Sequence, residues 1–256
     1  MAPWLPSGPL GGLLAPWGAL RFLGSHPRLW AYCLAPVGIN LVLFALFSWF
    51  SYTRFEQWLR PLLPTGEGWW WAAAFYLLAV VAVLILLVVE VFLFAVVGQL
   101  VAAPFLELLS RRAEALGGPA GLAPWAETSL WQDALRLGGQ ALKRLALYLG
   151  LMIPLGLINL LPVVGNLLYA GLTFVMTCFF LALSFLDLPL DRRGLSFKAK
   201  LDYLRGLGLT GLAFGAAVFA LGLVPLLNLA LLPLAAVGAT LLYLERPGTS
   251  LPPPRT

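Results

Sequence analysis

The chain has 256 residues, of which 61% are apolar and 11% are charged, whereas a soluble domain is about half apolar and about a quarter charged. Its mean hydropathy is +0.91. This composition excludes an ordinary soluble protein and predicts a single all-α integral membrane domain over residues 1–256, with about four to six membrane passages. The net charge of +5 does not indicate nucleic-acid binding, because the basic residues lie beside apolar runs rather than in one basic patch.

Both ends of the chain are rich in helix-breaking residues. Residues 1–15 contain several prolines and glycines, and residues 245–256 contain three consecutive prolines, so we expect an irregular N-terminal segment and an irregular tail. No basic residue precedes Arg21, so the sequence lacks the basic start of a secretory signal. We therefore expect the N-terminus to be retained.

The first two apolar runs predict long transmembrane helices. Residues 29–53 form the first predicted span, and residues 68–110 form the second, which continues beyond the membrane on the cytoplasmic side. Each run exceeds the roughly 20 residues that cross the hydrocarbon core. Both are continuously apolar and lack the alternation of a barrel strand, so helices are expected. Trp residues favour the headgroup level, so the cluster Trp69, Trp70 and Trp71 marks the outer interface.

The second half of the chain predicts an amphipathic helix followed by two hairpins. Residues 128–144 place apolar and polar positions on opposite helix faces, which is typical of an interfacial helix. The apolar runs 145–186 and 206–244 are each interrupted by prolines and predict Pro-broken helical hairpins. Their turns are expected at Pro162 to Asn166 and between Pro225 and Pro233. Because these turns carry no charge, each hairpin either crosses the membrane or dips into it and returns.

The basic residues predict the orientation of the chain. Arg54 and Arg60 are the only Lys or Arg residues in the proposed outer loop, and the remainder of the 16 flank the opposite ends of the apolar runs. Short cytoplasmic loops carry an excess of basic residues. We therefore expect both termini in the cytoplasm.

The sequence offers no constellation for catalysis. Its one histidine, His26, has no triad partners in the sequence pattern, and Cys33 and Cys178 lie within apolar runs without metal-binding spacing. We therefore expect no enzymatic activity, no catalytic residue, no metal site and no cofactor.

Two arginines are candidate anion ligands. Arg21 and Arg28 lie at the cytoplasmic start of the first span. A guanidinium group donates parallel hydrogen bonds to a tetrahedral oxyanion, which suits such a role. Arginines at this place also serve as ordinary membrane anchors, and the spacing alone does not separate the two readings.

Further charges follow on the second long helix. Glu90 is the only formal charge between residues 68 and 106, so it is a candidate for proton or cation coupling, with ordinary solvation at the inner interface as the alternative. Glu107 and Arg111 have i,i+4 spacing, and together with Arg112 they predict either a charged entrance or gate, or a solvated helix face.

Four more charges lie between residues 187 and 193. They are typical of a polar inner loop, which is the interpretation we favour from the sequence: Asp187, Asp191, Arg192 and Arg193.

Short stretches along nearly the whole chain carry a family resemblance. Through these stretches and the order in which they occur, the chain resembles the CysZ family of bacterial sulfate permeases and its etoposide-induced-protein-like relatives. The matching stretches are His26-Pro27-Arg28-Leu29-Trp30, Ala35-Pro36, Ile39-Asn40, Ala102-Ala103-Pro104-Phe105, Leu161-Pro162 with Gly165, Asp187-Leu188-Pro189-Leu190-Asp191, Phe214-Gly215, Val224-Pro225-Leu226-Leu227-Asn228, Pro233 and Gly238-Ala239-Thr240.

The resemblance implies uptake of sulfate for cysteine synthesis across the bacterial inner membrane. It also implies two long spanning helices, hairpins that penetrate only partly, and assembly into homo-oligomers in the lipid bilayer. The implied anion site lies at the segment that begins the first long helix, here Gly18-Ala19-Leu20-Arg21, so Gly18 and Leu20 join Arg21 and Arg28 as candidate sulfate-binding residues. This chain departs from the family pattern by the inserted Ala19 and by Leu106 in place of an Asn. The alternative is a non-transporting membrane scaffold or accessory protein with the same domain.

Overall fold

The computed structural model describes residues 4–59, 68–118, 130–158 and 164–245. The regular elements in these ranges are helices, which confirms the all-α prediction. In chain order they are α1 Pro9–Ser25, a 3-10 turn Pro27–Leu29, α2 Trp30–Leu59, α3 Trp69–Gly117, α4 Leu130–Ile158, α5 Val164–Asp191, α6 Phe197–Leu207, α7 Leu209–Gly222 and α8 Pro225–Glu245. They form two compact units, residues 30–106 and the remainder of the chain. The single domain over residues 1–256 stays a prediction.

Three described helices are long and apolar enough to cross a membrane. They are Pro27–Arg54, Trp69–Phe94 and Val164–Asp191, and a fourth crossing is counted if α6 and α7 are one bent span. Such helices exceed the roughly 30 Å of a hydrocarbon core at 1.5 Å per residue. The chain is therefore an integral membrane protein, and its described residues contain three or four such crossings, against the four to six passages expected.

The unit of residues 30–106 consists of α2 and the first part of α3. These helices contact each other through an edge-to-face pair of rings, with the centroids of Phe44 and Phe94 5.3 Å apart. The amide of Asn40 donates to the carbonyl oxygen of Gly98 at 3.4 Å. No residue of the most apolar window within Trp69–Phe94, whose mean hydropathy is 3.2, is buried inside the described structure. Side chains of this kind are stable only against lipid or another apolar surface.

The other unit is built around close contacts of small residues. A Cβ atom added to Gly12 of α1 would lie 2.0 Å from the carbonyl oxygen of Thr210, and one added to Gly215 of α7 would lie 1.8 Å from that of Cys178. Glycine at these two positions therefore lets α7 contact both α1 and α5 backbone to backbone. Phe22, Phe214 and Leu183 fill the buried space between these helices.

The N-terminal segment differs from the expectation. Helix α1 begins at Pro9, so residues 9–15 are helical rather than irregular. Proline is favourable in the first turn of a helix, where its missing N–H is not needed. Gly11 and Gly12 are tolerated because tertiary packing overrides their weak helix propensity. Residues 1–3 and the tail from residue 246 lie outside the described residues.

The first predicted hairpin has different boundaries in the structure. Residues 130–144 of the predicted amphipathic segment and the first arm of the run 145–186 belong to one helix, α4, which continues through Pro154, and residues 128 and 129 lie outside the described residues. Residues 162 and 163 of the expected turn lie outside the described residues, as do residues 159–161 before it. Helix α5 has begun by Val164, so Asn166 is helical rather than part of a turn.

The second predicted hairpin corresponds to α7 and α8, but its expected turn is wrong. The helices are interrupted at Leu223 and Val224, and α8 begins at Pro225 and continues through Pro233. Pro225 begins the helix for the same reason as Pro9 does in α1. Before this hairpin, α6 meets α7 at an angle of 94°. Gly208 allows this bend because its φ of +53° is disfavoured for residues with a Cβ atom.

Candidate functional site

The predicted anion ligands lie at one end of α1 and in the 3-10 turn. Arg21 is exposed, and its guanidinium carbon lies 5.7 Å from the centroid of the Trp17 ring. Arg28 is also exposed. Within the described ranges, neither arginine forms an ion pair and no contact joins the two. Both guanidinium groups therefore keep N–H donors available to an external anion.

Gly18 and Leu20 have different surroundings. Gly18 is buried, and a Cβ atom there would lie 2.5 Å from the side chain of Leu5 and 3.2 Å from the carbonyl oxygen of Trp4. It therefore provides space for the N-terminal residues to pack on α1. Leu20 is 38% exposed and lies beside Arg21 in sequence.

The charged pair on the extension of α3 is present as the spacing predicts. Nε of Arg111 donates to Oε1 of Glu107 at 2.9 Å. The same carboxylate oxygen accepts a longer hydrogen bond, 3.3 Å, from Nη1 of Arg192. Arg112 is exposed. Two of the predicted entrance residues, Glu107 and Arg111, are thus connected to a charge that is distant in sequence.

Glu114 is the centre of a buried group of charges. Its side chain is 3% exposed, and its Oε2 accepts from Nη2 of Arg192 at 2.6 Å and from Nε at 3.1 Å. Its Oε1 accepts from Nη2 of Arg193. Charged hydrogen bonds of this kind compensate the desolvation of buried ions only when the geometry is good and several bonds are made. Glu114 meets this requirement with both carboxylate oxygens.

Two hydroxyl groups extend the same group of residues. Nη2 of Arg192 donates to Oγ of Ser110 at 3.0 Å, and Oγ of Ser110 lies 2.7 Å from Oγ1 of Thr240. Thr240 also donates to the carbonyl oxygen of Ala236 at 2.8 Å. We name the charged members, Glu107, Arg111, Glu114, Arg192 and Arg193, the glutamate–arginine cluster. Its formal charge is +3 from the arginines and −2 from the glutamates, which gives +1.

Arg193 is the incompletely bonded member of this cluster. Its side chain is 7% exposed, and its guanidinium carbon lies 5.9 Å from the centroid of the Tyr243 ring. Within the described part of the chain, its Nε and Nη1 have no hydrogen-bond partner. The cluster therefore keeps unused N–H donors in a buried place.

A second, neutral group of charges joins α4, α5 and the start of α6. The ammonium group of Lys200, whose side chain is 0% exposed, lies 2.7 Å from Oδ1 of Asp187 and also pairs with Asp191. Arg144 pairs with the other oxygen of Asp187. Burial lowers the pKa of the Arg144 guanidinium, and the charge of Asp191 partly opposes this shift. We name these four residues the lysine–aspartate cluster.

The interpretation of residues 187–193 as an ordinary polar loop is wrong. Asp187 is 8% exposed, Arg192 5% and Arg193 8%. These residues are buried because α5 continues to Asp191 and places them against Glu114 and Lys200. The sequence signal was four charges within seven residues at the end of a long apolar run, where paired burial is an alternative to solvation.

Glu90 lies in the other unit. Its Oε1 accepts a hydrogen bond from the hydroxyl of Ser48, and its side chain is partly buried. Together with Asn40 it lines a cavity of about 380 Å³ between α2 and α3. In the part of the chain that the structure describes, no group of His, Cys, Asp and Glu side chains is arranged to hold a metal ion.

Comparison with known proteins identifies the family. A family model described as "Sulfate transporter CysZ/Etoposide-induced protein 2.4" matches residues 15–233. Curated relatives named sulfate transporter CysZ include one from Pseudomonas fluorescens, 37% identical over 87% of this chain and 89% of its own length. One from Pseudomonas syringae pv. tomato is 31% identical over 88% of this chain and 89% of its own length. Another from Pectobacterium atrosepticum is 30% identical over 87% of this chain and 80% of its own length.

The family match agrees with the structure. It runs from within α1 to within α8, and the relatives are bacterial proteins that align with nearly all of this chain. The three membrane-length helices and these relatives make the chain a bacterial membrane protein. The resemblance found in the short sequence stretches is thereby confirmed, and the chain belongs to the sulfate transporter CysZ/etoposide-induced protein 2.4 family.

Proposed function

We propose that this chain is a permease for sulfate, which it takes up across the bacterial inner membrane to supply sulfur assimilation and cysteine synthesis. The observation that carries the proposal is the family match, together with relatives named sulfate transporters that align over most of the chain. The description of the family as a transporter supports transport rather than enzymatic catalysis. No observation on the described residues favours the non-transporting scaffold.

We propose that Arg21 and Arg28 bind the anion, with Gly18 and Leu20 shaping the segment. The exposed guanidinium groups of both arginines supply N–H donors that no described carboxylate occupies. A tetrahedral dianion that leaves water needs several such donors, because desolvation of an unpaired charge is costly. The burial of Gly18 against Leu5 supports a positioning role, since it holds the N-terminal residues on α1.

We propose that Glu107, Arg111 and Arg112 form the cytoplasmic entrance or gate. The net charge of +1 on the glutamate–arginine cluster supports this role, because a positive region raises the local concentration of an anion. Glu107 is shared by Arg111 and Arg192. Sharing of the carboxylate restrains the position of both arginine side chains.

The orientation and assembly of the protein are also proposed here. The basic residues support cytoplasmic termini, which cysteine labelling from either side of sealed vesicles would test. The unburied apolar face of Trp69–Phe94 supports contact with lipid and with further copies of the chain. Mass measurement of the protein in nanodiscs would test the homo-oligomer.

Glu90 is proposed as the coupling residue if sulfate flux depends on a proton gradient. Its place within the apolar span Trp69–Phe94 supports this, since ionisable groups at such positions are costly unless they have a function. In sealed proteoliposomes, an inward proton gradient is expected to stimulate sulfate uptake by the unaltered protein but not by Glu90→Gln. Equal stimulation of both proteins would exclude this role.

The central test is radiolabelled sulfate uptake by proteoliposomes. Arg21→Ala and Arg28→Ala are each expected to lower the uptake rate at subsaturating sulfate about tenfold or more, since a hydrogen bond to a charged group contributes about 1.5–3 kcal/mol. Arg205→Ala is the matched control, because this arginine is 72% exposed on α6 and lies 3.5 Å from Asp202. We expect its uptake to remain close to that of the unaltered protein.

Two outcomes would reject the proposal in different ways. Absence of sulfate flux in the unaltered, folded protein would reject the permease itself. Flux that is unchanged in the double variant Arg21→Ala/Arg28→Ala would reject this anion site while leaving the permease in place.

A further inference from the structure

A cavity within the unit of residues 30–106 has a chemistry that does not suit sulfate. Its volume is about 380 Å³, within the roughly 300–1,000 Å³ range of small-molecule sites. Four phenylalanine side chains line it, namely Phe44, Phe47, Phe50 and Phe94. Glu90 and Asn40 are the polar residues of the described lining.

The lining contains two hydrogen-bond acceptors, the carboxylate of Glu90 and Oδ1 of Asn40. The hydroxyl group of Ser48 donates its hydrogen bond to Glu90, so this donor is already used. The Nδ2 group of Asn40 is directed to the carbonyl oxygen of Gly98 at 3.4 Å. Oδ1 of Asn40 is buried, and no described residue donates to it. A buried acceptor without a partner is unfavourable, and a ligand with positive charge would relieve it.

The aromatic lining favours the same sign of charge. The face of a phenylalanine ring carries a partial negative charge and attracts cations. The carboxylate of Glu90 adds a formal negative charge in surroundings of low polarity, where the attraction to a cation is stronger than in water. An anion would meet the carboxylate of Glu90 and the unpartnered Oδ1 of Asn40, both of which carry negative charge or partial negative charge and repel it. The cavity therefore discriminates against sulfate and for a cation with apolar groups.

We propose that this cavity binds an amphiphilic organic cation, with the charged centre at Glu90 and Oδ1 of Asn40 and the apolar groups against the phenylalanines. Alkylammonium and arylphosphonium compounds have this chemistry. The proposal does not depend on the proposed anion site, because the cavity lies wholly within residues 40–97 and contains none of the proposed anion ligands. It shares Glu90 with the proposed coupling role, which the proton-gradient experiment tests separately.

A pair of probes with opposite charge and the same shape tests the proposal. Equilibrium binding of radiolabelled tetraphenylphosphonium and of tetraphenylborate is measured on the full chain in nanodiscs of zwitterionic lipid, with empty nanodiscs as the background. We expect saturable binding of the phosphonium and no saturable binding of the borate. Glu90→Gln should weaken phosphonium binding at least tenfold, whereas Glu90→Asp, which keeps the charge, should weaken it less.

Asp202→Asn is the matched control for loss of a carboxylate, because its side chain is 54% exposed on α6 and does not line the cavity. It should bind the phosphonium as the unaltered chain does. Borate binding as strong as phosphonium binding, or full binding by a folded Glu90→Gln variant, would overturn the proposal. Binding no greater than that of empty nanodiscs would also overturn it, including the case in which a second copy of the chain fills the cavity.

Discussion

Glu114 offers the sharpest test of the glutamate–arginine cluster, because it is buried and three charged hydrogen bonds converge on it. Glu114→Gln keeps the shape of the side chain but removes the charge and one acceptor oxygen. Arg192 and Arg193 then remain as cations with side chains 2% and 7% exposed. Removal of one partner from a buried ion pair costs about 3–5 kcal/mol. We expect a loss of this size in the free energy of unfolding, measured by SDS titration in mixed micelles.

The controls for this prediction use other charges of the same unit. Asp202→Asn removes an exposed carboxylate 3.5 Å from Arg205 and should change the unfolding free energy by no more than about 0.5 kcal/mol. Arg192 keeps its ion pair with Glu107, whereas Glu114 is the one described carboxylate paired with Arg193. The double variant Glu114→Gln/Arg193→Met removes the cation left without a described carboxylate and should recover part of the loss. If Glu114→Gln is no more destabilising than Asp202→Asn, the buried pairing described for this cluster is refuted.

Two further predictions concern helix contact and the N-terminus. Gly215→Ala places a Cβ atom 1.8 Å from the carbonyl oxygen of Cys178, so it should lower the unfolding free energy by about 1–3 kcal/mol, whereas Gly206→Ala, with no heavy atom within 4 Å, should not. Equal stability of the two variants would contradict the close contact of α5 and α7. Glu245→Ala removes the acceptor that lies 2.8 Å from the amide of Leu5, so hydrogen exchange at this amide should become about tenfold faster or more. Unchanged exchange would show that the hydrogen bond does not hold the N-terminal residues.

The long helices could be predicted because their signal is local. The apolar runs 29–53 and 68–110 correspond to α2 and α3. A run of more than about 20 consecutive apolar residues is enough to predict a membrane helix, whatever the rest of the chain does. The positions of helix ends were harder to predict. The sequence predicts a turn between Pro225 and Pro233, but a proline can either interrupt a helix or begin one, and only the neighbouring structure decides between these roles.

The buried charges could not be predicted because their partners are distant in sequence. The i,i+4 spacing of Glu107 and Arg111 was sufficient to predict their ion pair, which the structure contains. Arg192 binds Glu114 from 78 positions away, and no periodicity in the sequence relates the two. A charged side chain at the end of an apolar run is usually solvated. It is buried only when the tertiary structure brings a group of opposite charge next to it, and the sequence does not show that group.

The two kinds of arginine in this chain should respond differently to the same substitution. Arg192 makes its hydrogen bonds to Glu114, Glu107 and Ser110, whereas Arg21 is exposed and has no described carboxylate. Arg192→Gln should therefore lower both the unfolding free energy, by about 3–5 kcal/mol, and the sulfate flux per reconstituted protein. Arg21→Gln should lower the flux while the unfolding free energy changes by no more than about 0.5 kcal/mol. Equal destabilisation by both variants would mean that Arg21 is structural, and its loss of flux would then be no evidence for a bound anion.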